Sequence, residues 1–291
     1  MKTVFASLSA VWLAIAVAGC AATTATTSAP SDAAANAAFT TTAVALTAPD
    51  GRPIDLTVIA PAQPRGVILF SHGGGSAPAA NRALLESFAA KGFAVLAPTH
   101  TDSTTLPAER RSTLQAALGT RIADMQVAAG HAGKIWPALP LAEVGYSYGS
   151  LTALMGAGAL SGMIPGTIPG VKAVVMFSSP GPIAPLTAAA GAFARVTAPT
   201  LLVTGTADVI PGMVTDPKSH LVYFDTLSAG DRTALIVSGA DHRFVAGTAP
   251  AWNAVAALTG DFLASRVLGD KVAGARFDTA KTTAQVEVRR R

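Results

Sequence analysis

Gly145-Tyr146-Ser147-Tyr148-Gly149 sets a serine between two glycines, each two positions away. A serine hydroxyl is a weak nucleophile at neutral pH. To attack an acyl carbonyl it needs a base to take its proton and donors to hold the oxyanion. The spacing suits a serine on a strained strand-to-helix turn, where side chains two positions to either side would collide, hence glycine at 145 and 149. The flanks agree: LAEV before the motif reads as a short strand and SLTALMGAGAL after it as a helix.

The base and the acid have candidates downstream. Thr200–Gly205 leads into Thr206-Ala207-Asp208, and Ala234–Ala240 leads into Asp241-His242-Arg243-Phe244. Both place Asp208 and His242 at carboxyl ends of strands, where sites of open α/β sheets collect. Asp216 is the main rival acid, while Asp241 is too close along the chain to reach its neighbour's imidazole. The other histidines compete poorly. His72 lies in a glycine-rich loop, His100 follows a strand too early, His131 is in or just after a helix, and His220 sits in a polar connection. Ser71-His72-Gly73-Gly74-Gly75 follows a strand, and its glycines allow backbone N–H groups to approach an acyl group. The Gly74 N–H, with Gly73 as the alternative, and the Tyr148 N–H are the candidate oxyanion donors. Tyr146 and Tyr148 flank the serine and suit core packing equally well.

The elements that must hold these residues read as strand and helix in alternation. Phe39–Thr47 and Ile54–Ala60, joined by Pro49-Asp50-Gly51, form an antiparallel hairpin. Gly66–Phe70, Phe93–Ala97, Leu141–Val144, Val171–Phe177, Thr200–Val203 and Ala234–Val237 are buried strands. Helices are predicted over Asn81–Ala90, Ala108–Ala129, Ser150–Ala157 and Trp252–Val267. The order implies an α/β fold: one mostly parallel central sheet, an antiparallel N-terminal hairpin and helices on both faces. Ser179–Val196, the longest insertion near the site, reads as a small Ala-rich lid, and Pro98–Gly119 as a second wall.

From Gly66 to about Val267 the chain resembles the α/β-hydrolases of the serine esterase/lipase type. The stretches VILFSHGGG, GFAVLAPTHTDS, VGYSYGSLTAL, VKAVVMFSSPG, PTLLVTGTAD and GADHRF carry the resemblance, in family order. Within that superfamily the chain is similar to the secreted "predicted dienelactone hydrolase" and platelet-activating-factor-acetylhydrolase-like group. It differs from true dienelactone hydrolases, which place Cys where Ser147 stands. The resemblance implies a carboxylic ester hydrolase with Ser147, Asp208 and His242 as triad, Gly74 and Tyr148 as oxyanion hole, a small-molecule ester as substrate, and no metal or organic cofactor. A serine peptidase or amidase on the same fold and a catalytically inactive surface lipoprotein are the alternatives.

Composition bounds the rest. Half of the 291 residues are hydrophobic and 13% are charged, which supplies a core and excludes a disordered chain. The net charge of +4 comes without a dense basic stripe, so no nucleic-acid partner is expected. The one cysteine, Cys20, excludes an internal disulfide framework and a cysteine-built zinc site. Lys2 and the apolar run Val11–Val17 have the make-up of a signal peptide, and Val17-Ala18-Gly19-Cys20 resembles the lipobox of bacterial lipoproteins. The resemblance implies residues 1–19 as a lipoprotein signal peptide, lipidation of Cys20, and export to a membrane of the cell envelope, with the outer membrane as one destination. Residues 20–38 read as an Ala/Thr/Ser-rich tether, 39–267 as a single domain, and 268–291 as a loosely ordered, polar, basic tail, solvated or at a membrane surface.

Overall fold

A computed structural model describes residues 39–291; the expected signal peptide, Cys20 and tether lie outside the described residues. Strand β1 (Phe39–Thr47) and strand β2 (Pro53–Pro61) form the expected antiparallel hairpin, with Phe39 opposite Pro61 and Thr47 opposite Pro53. β2 pairs antiparallel with β4 (Phe93–Thr99). Next come the parallel strands β3 (Gly66–Ser71), β5 (Leu141–Tyr146), β6 (Val171–Phe177), β7 (Thr200–Gly205) and β8 (Arg232–Val237). A ninth strand, β9 (Val286–Arg290), closes the far edge antiparallel to β8, giving the order β1-β2-β4-β3-β5-β6-β7-β8-β9.

Period-two alternation sends successive strand residues to opposite faces, and both faces are covered. Ile68 and Phe70, Val175 and Phe177, and Leu235 and Val237 point to the face covered by α1 (Arg82–Ala90) and α5 (Trp252–Leu268). Val67 and Leu69 face α2 (Ala117–Ile135). Val174, Met176 and Ile236 face α3 (Tyr148–Gly156) and the short α4 (Val222–Thr226). Fully buried side chains such as Phe70, Phe88, Phe177 and Phe262 each contribute about 1.5–3 kcal/mol through removal from water.

Two expectations are corrected. Helix α2 runs from Ala117 to Ile135, not from Ala108 to Ala129; after Pro107, residues Ala108–Arg110 form one 3₁₀ turn. Small apolar residues around α2 blur the spacing that would mark its start. The second correction concerns 268–291, which is not a loose tail. Gly269, in the left-handed conformation, ends α5, and the Asp270 carboxylate caps α6 (Lys271–Thr279) by accepting from the Val272 and Ala273 N–H groups. β9 then joins the sheet. Helix α6 buries only Ala273, Gly274 and Phe277, and β9 only Val286, so no apolar run announces either element. Phe277 packs on Phe262 and lies under the guanidinium groups of Arg266 and Arg290, at 5.5 and 5.8 Å. The basic residues thus anchor this segment to the domain.

Candidate active site

β5 delivers Ser147, and α3 starts at the next residue. Ser147 has φ 51° and ψ −123°, a conformation that costs a residue with a Cβ on the order of 1–3 kcal/mol. Tight backbone approach at both ends of the turn holds it there. A Cβ on Gly145 would overlap the Gly149 carbonyl, and one on Gly149 would overlap the carbonyl of Ser71 at the end of β3. The Ser147 N–H donates to the Phe177 carbonyl at 2.8 Å, tying the turn to the adjacent strand.

The carboxyl ends of β7 and β8 bring the partners. The Ala207 N–H donates to the Ala240 carbonyl at 3.0 Å, joining the two loops. His242 Nδ1 donates to Asp208 Oδ1 at 2.7 Å, and His242 Nε2 lies 3.1 Å from Ser147 Oγ. Asp208 is wholly buried, and the Thr204 hydroxyl donates to its Oδ2 at 2.8 Å. Burial alone would raise the pKa of Asp208. Hydrogen bonds from His220 and His242 and the charge of His220 outweigh it and hold the carboxyl far below the usual range. The Tyr146 hydroxyl donates to the His242 carbonyl at 2.7 Å, and its ring lies 5.2 Å from the His242 ring, which fixes the histidine loop from the serine side.

A buried arginine organises the glycine loop after β3. Arg121 Nε and Nη2 bind both oxygens of Asp102 at 2.8 Å. Nη1 donates to the His72 carbonyl at 2.7 Å and Nη2 to the Gly73 carbonyl at 3.1 Å. Asp102 Oδ2 accepts from the Gly75 N–H at 2.8 Å, and the same guanidinium lies 5.1 Å from the Tyr148 ring centre. One side chain therefore touches both segments that border Ser147. The Gly74 N–H has no protein acceptor among the described residues, and the Tyr148 N–H, at the first turn of α3, has no intrahelical one.

Among solved structures, the chain is similar to a dienelactone hydrolase from Anabaena variabilis ATCC 29413. The two are 22% identical, with a TM-score of 0.57, over 79% of this chain and 99% of that one. It is also similar to a cold-adapted esterase from an Arctic intertidal metagenomic library, at 17% identity and a TM-score of 0.58, over 79% of this chain and 94% of that one. A search of protein-family models and a search of curated proteins find no match. The chain has the α/β-hydrolase fold.

On this α/β-hydrolase fold Ser147, His242 and Asp208 meet in one hydrogen-bonded line, and Gly74 and Tyr148 border the same cleft. The rivals are occupied elsewhere. The Asp216 carboxylate accepts from the Lys218 N–H at 3.0 Å and caps a 3₁₀ turn, Pro217–Leu221. The Asp241 carboxylate accepts from the Arg243 N–H at 2.9 Å. His72 Nε2 accepts from the His100 N–H at 3.0 Å, and His100 joins Ser71 Oγ at 2.9 Å to Asp124 Oδ2 at 2.8 Å. His131 lies on α2, with no part in the line.

Sequence reasoning missed His220 and Arg121. His220 is fully buried beside Asp208, although nothing in the polar stretch around it announces this. Arg121 had a readable signal: with Ala117, Ile122 and Met125 it shares the buried stripe of α2, a poor place for a cation without a partner. Asp208, His220 and His242 are residue types that hold metals, and their ligand atoms lie within 4.8 Å of one another. Those atoms are already engaged with each other, with Ser147 and with protein carbonyls, so the cluster is a closed hydrogen-bond network.

The cleft at Ser147 holds about 280 Å³ and is walled by Leu114, Tyr148, Pro180, Ile210 and Met213. Leu114 comes from the expected second wall. Pro180 comes from the expected lid, whose Ile183, Leu186, Ala192 and Phe193 pack into the core instead of covering the site. Beyond Tyr146 and Ser76 lies a polar cleft of about 690 Å³, reaching Asn81, Asp241 and Arg243. A groove of about 630 Å³ beneath Trp136 opens at the amino-terminal ends of β3 and β5, remote from Ser147.

Proposed function

We propose that the chain is a serine hydrolase that cleaves carboxylic esters through an acyl-enzyme intermediate. The observation that carries this reading is the unbroken line from Ser147 Oγ to His242 Nε2, at 3.1 Å, and from His242 Nδ1 to Asp208 Oδ1, at 2.7 Å. Ser147 attacks the ester carbonyl while His242 takes its proton. Asp208 holds the Nδ1–H tautomer, which leaves Nε2 free to accept. The Gly74 and Tyr148 N–H groups receive the oxyanion. His242 then protonates the departing alcohol, and water releases the acid by the same steps in reverse order of roles. The cleft of about 280 Å³ favours a small apolar acyl group, since pockets for drug-sized ligands measure roughly 300–1,000 Å³.

A fluorophosphonate probe tests the reading together with a panel of short-chain aryl esters and aminoacyl amides. Modification of Ser147 and preferential turnover of esters are expected. Faster amide turnover would favour a peptidase, and an unlabelled Ser147 would favour an inactive lipoprotein.

We also propose export and anchoring through Cys20, supported by the lipobox-like sequence Val17-Ala18-Gly19-Cys20. Cys20→Ala is expected to move the protein from the membrane fraction to the soluble one. An unchanged distribution between the fractions would count against anchoring.

A further inference from the structure

Among the described residues, His220 is the buried histidine whose two ring nitrogens both face oxygens with no proton to give; for His100 one partner is the Ser71 hydroxyl, which can donate. Its Nδ1 meets the Ser179 carbonyl, and its Nε2 lies 3.0 Å from both the carbonyl and Oδ1 of Asp208. His72 provides the internal contrast. Its Nε2 accepts the His100 N–H while its Nδ1 faces the Gly73 carbonyl, an arrangement that a neutral ring satisfies. A neutral His220 would leave one nitrogen lone pair pressed against an oxygen lone pair in a dry site. A proton on both nitrogens satisfies every contact, and the buried Asp208 carboxylate supplies the counter-charge.

We propose that His220 is a standing imidazolium that neutralises Asp208 and thereby keeps His242 available as a base at lower pH. The proposal rests on the serine-hydrolase reading, and it makes His220 a positioning residue that acts through Asp208. The ring of His220 stacks on that of His242, with centres 5.8 Å apart and planes 20° from parallel. A cation so placed opposes a second positive charge on His242 and shares the carboxylate that would stabilise one. Burial works against a charge on His220, and its hydrogen bond to Asp208 and the carboxylate's charge outweigh that and raise its pKa. The titratable and charged groups around the pair are few. Asp208 comes from the end of β7, and Asp241 and Arg243 flank His242 on the loop after β8. Tyr146 packs on His242 from β5, and Asp216 and Lys218 are exposed on the 3₁₀ turn that carries His220. The Ser179 hydroxyl donates to the His220 carbonyl at 2.7 Å, so the backbone holds the ring in place without relying on its charge.

The test has two arms. Nitrogen-15 NMR of the full chain, with the His220 signal assigned by its loss in His220→Gln, is expected to show hydrogens on both ring nitrogens at about pH 7, where an ordinary histidine is mostly neutral. A singly protonated His220 ring at that pH would overturn the proposal. The second arm is the pH–rate profile for an ester. In His220→Gln, which retains a donor to Asp208 but no charge, the acid limb is expected to move upward by roughly one pH unit. An acid limb that superimposes on the wild-type curve would also overturn it. Should the wild-type chain show no Ser147-dependent esterase activity, the serine-hydrolase reading fails, and the NMR arm still decides the charge of His220 separately.

Discussion

Ser147 combines an ordinary side chain with an unusual backbone. At φ 51° it sits where side-chain-bearing residues are uncommon, and the turn persists because Gly145 and Gly149 admit carbonyl oxygens where a Cβ would stand. Truncating the hydroxyl removes the nucleophile and leaves that backbone untouched. Ser147→Ala is therefore expected to lower kcat by on the order of 10⁶, with an unchanged thermal unfolding midpoint. Residual turnover within tenfold of wild type would remove Ser147 from the mechanism. The nucleophile was legible in the sequence because its constraint is local: glycines two residues away make the turn possible. His242 and Asp208 were legible by position after strands. His220 was not, because its meaning depends on Asp208 and Ser179, which the fold supplies from other loops.

At the scale of elements, α2 and the glycine loop form one unit through Arg121. Its guanidinium satisfies Asp102 and the carbonyls of His72 and Gly73, all buried. Arg121→Met would strand the Asp102 carboxylate in a dry interior, and the expected loss of unfolding free energy is about 3–5 kcal/mol. Arg121→Lys keeps the charge but loses the fork that reaches several acceptors at once. For that variant kcat is expected to fall more than KM rises, because donors to an oxyanion act only once negative charge has developed. An unchanged kcat with a raised KM would show that this network does not set the oxyanion donors. The ordering of 268–291 belongs to the same scale. Its few apolar residues gave no periodic signal, yet β8 offered an unpaired edge and Phe262 a partner for Phe277.

Over the whole molecule, buried histidines and buried carboxyls set the response to acid in opposite senses. Burial, reinforced by neighbouring cations, holds the pKa values of His72 and His100 well below the ordinary value of about 6.5. Below that pH the unfolded chain binds protons that the folded chain refuses, so stability falls on acidification, by at most about 1.4 kcal/mol per pH unit for each ring. Asp124 acts in the opposite sense. Burial raises its pKa to about 6, so the folded chain keeps a proton that the unfolded chain releases, and its stabilising contribution is lost as pH rises through that value. His220, with a raised pKa, likewise contributes stability that is present below about 6.5 and lost as pH rises through its folded value. Burial also raises the pKa of Glu143 well above the usual carboxyl range, in the same sense as Asp124, so the histidine contribution is read by difference. The stability gained between about pH 5 and about pH 7, measured by urea midpoints, is expected to be smaller in His72→Gln than in the wild type. A pH dependence that His72→Gln leaves unchanged would contradict the neutral state of the His72 ring.

The order of strands and helices, the two-sided burial of the sheet and the serine turn were all written in the chain itself. Each follows from neighbours within a few residues: apolar alternation along a strand, or glycine beside a strained turn. Tertiary structure alone decided that Arg121 would grip the glycine loop, that His220 would sit against Asp208, and that the last residues would add a helix and a strand. Those outcomes depend on which groups meet in a dry interior after the chain has closed. A polar residue in the sequence carries no mark of whether it will face water or a buried partner.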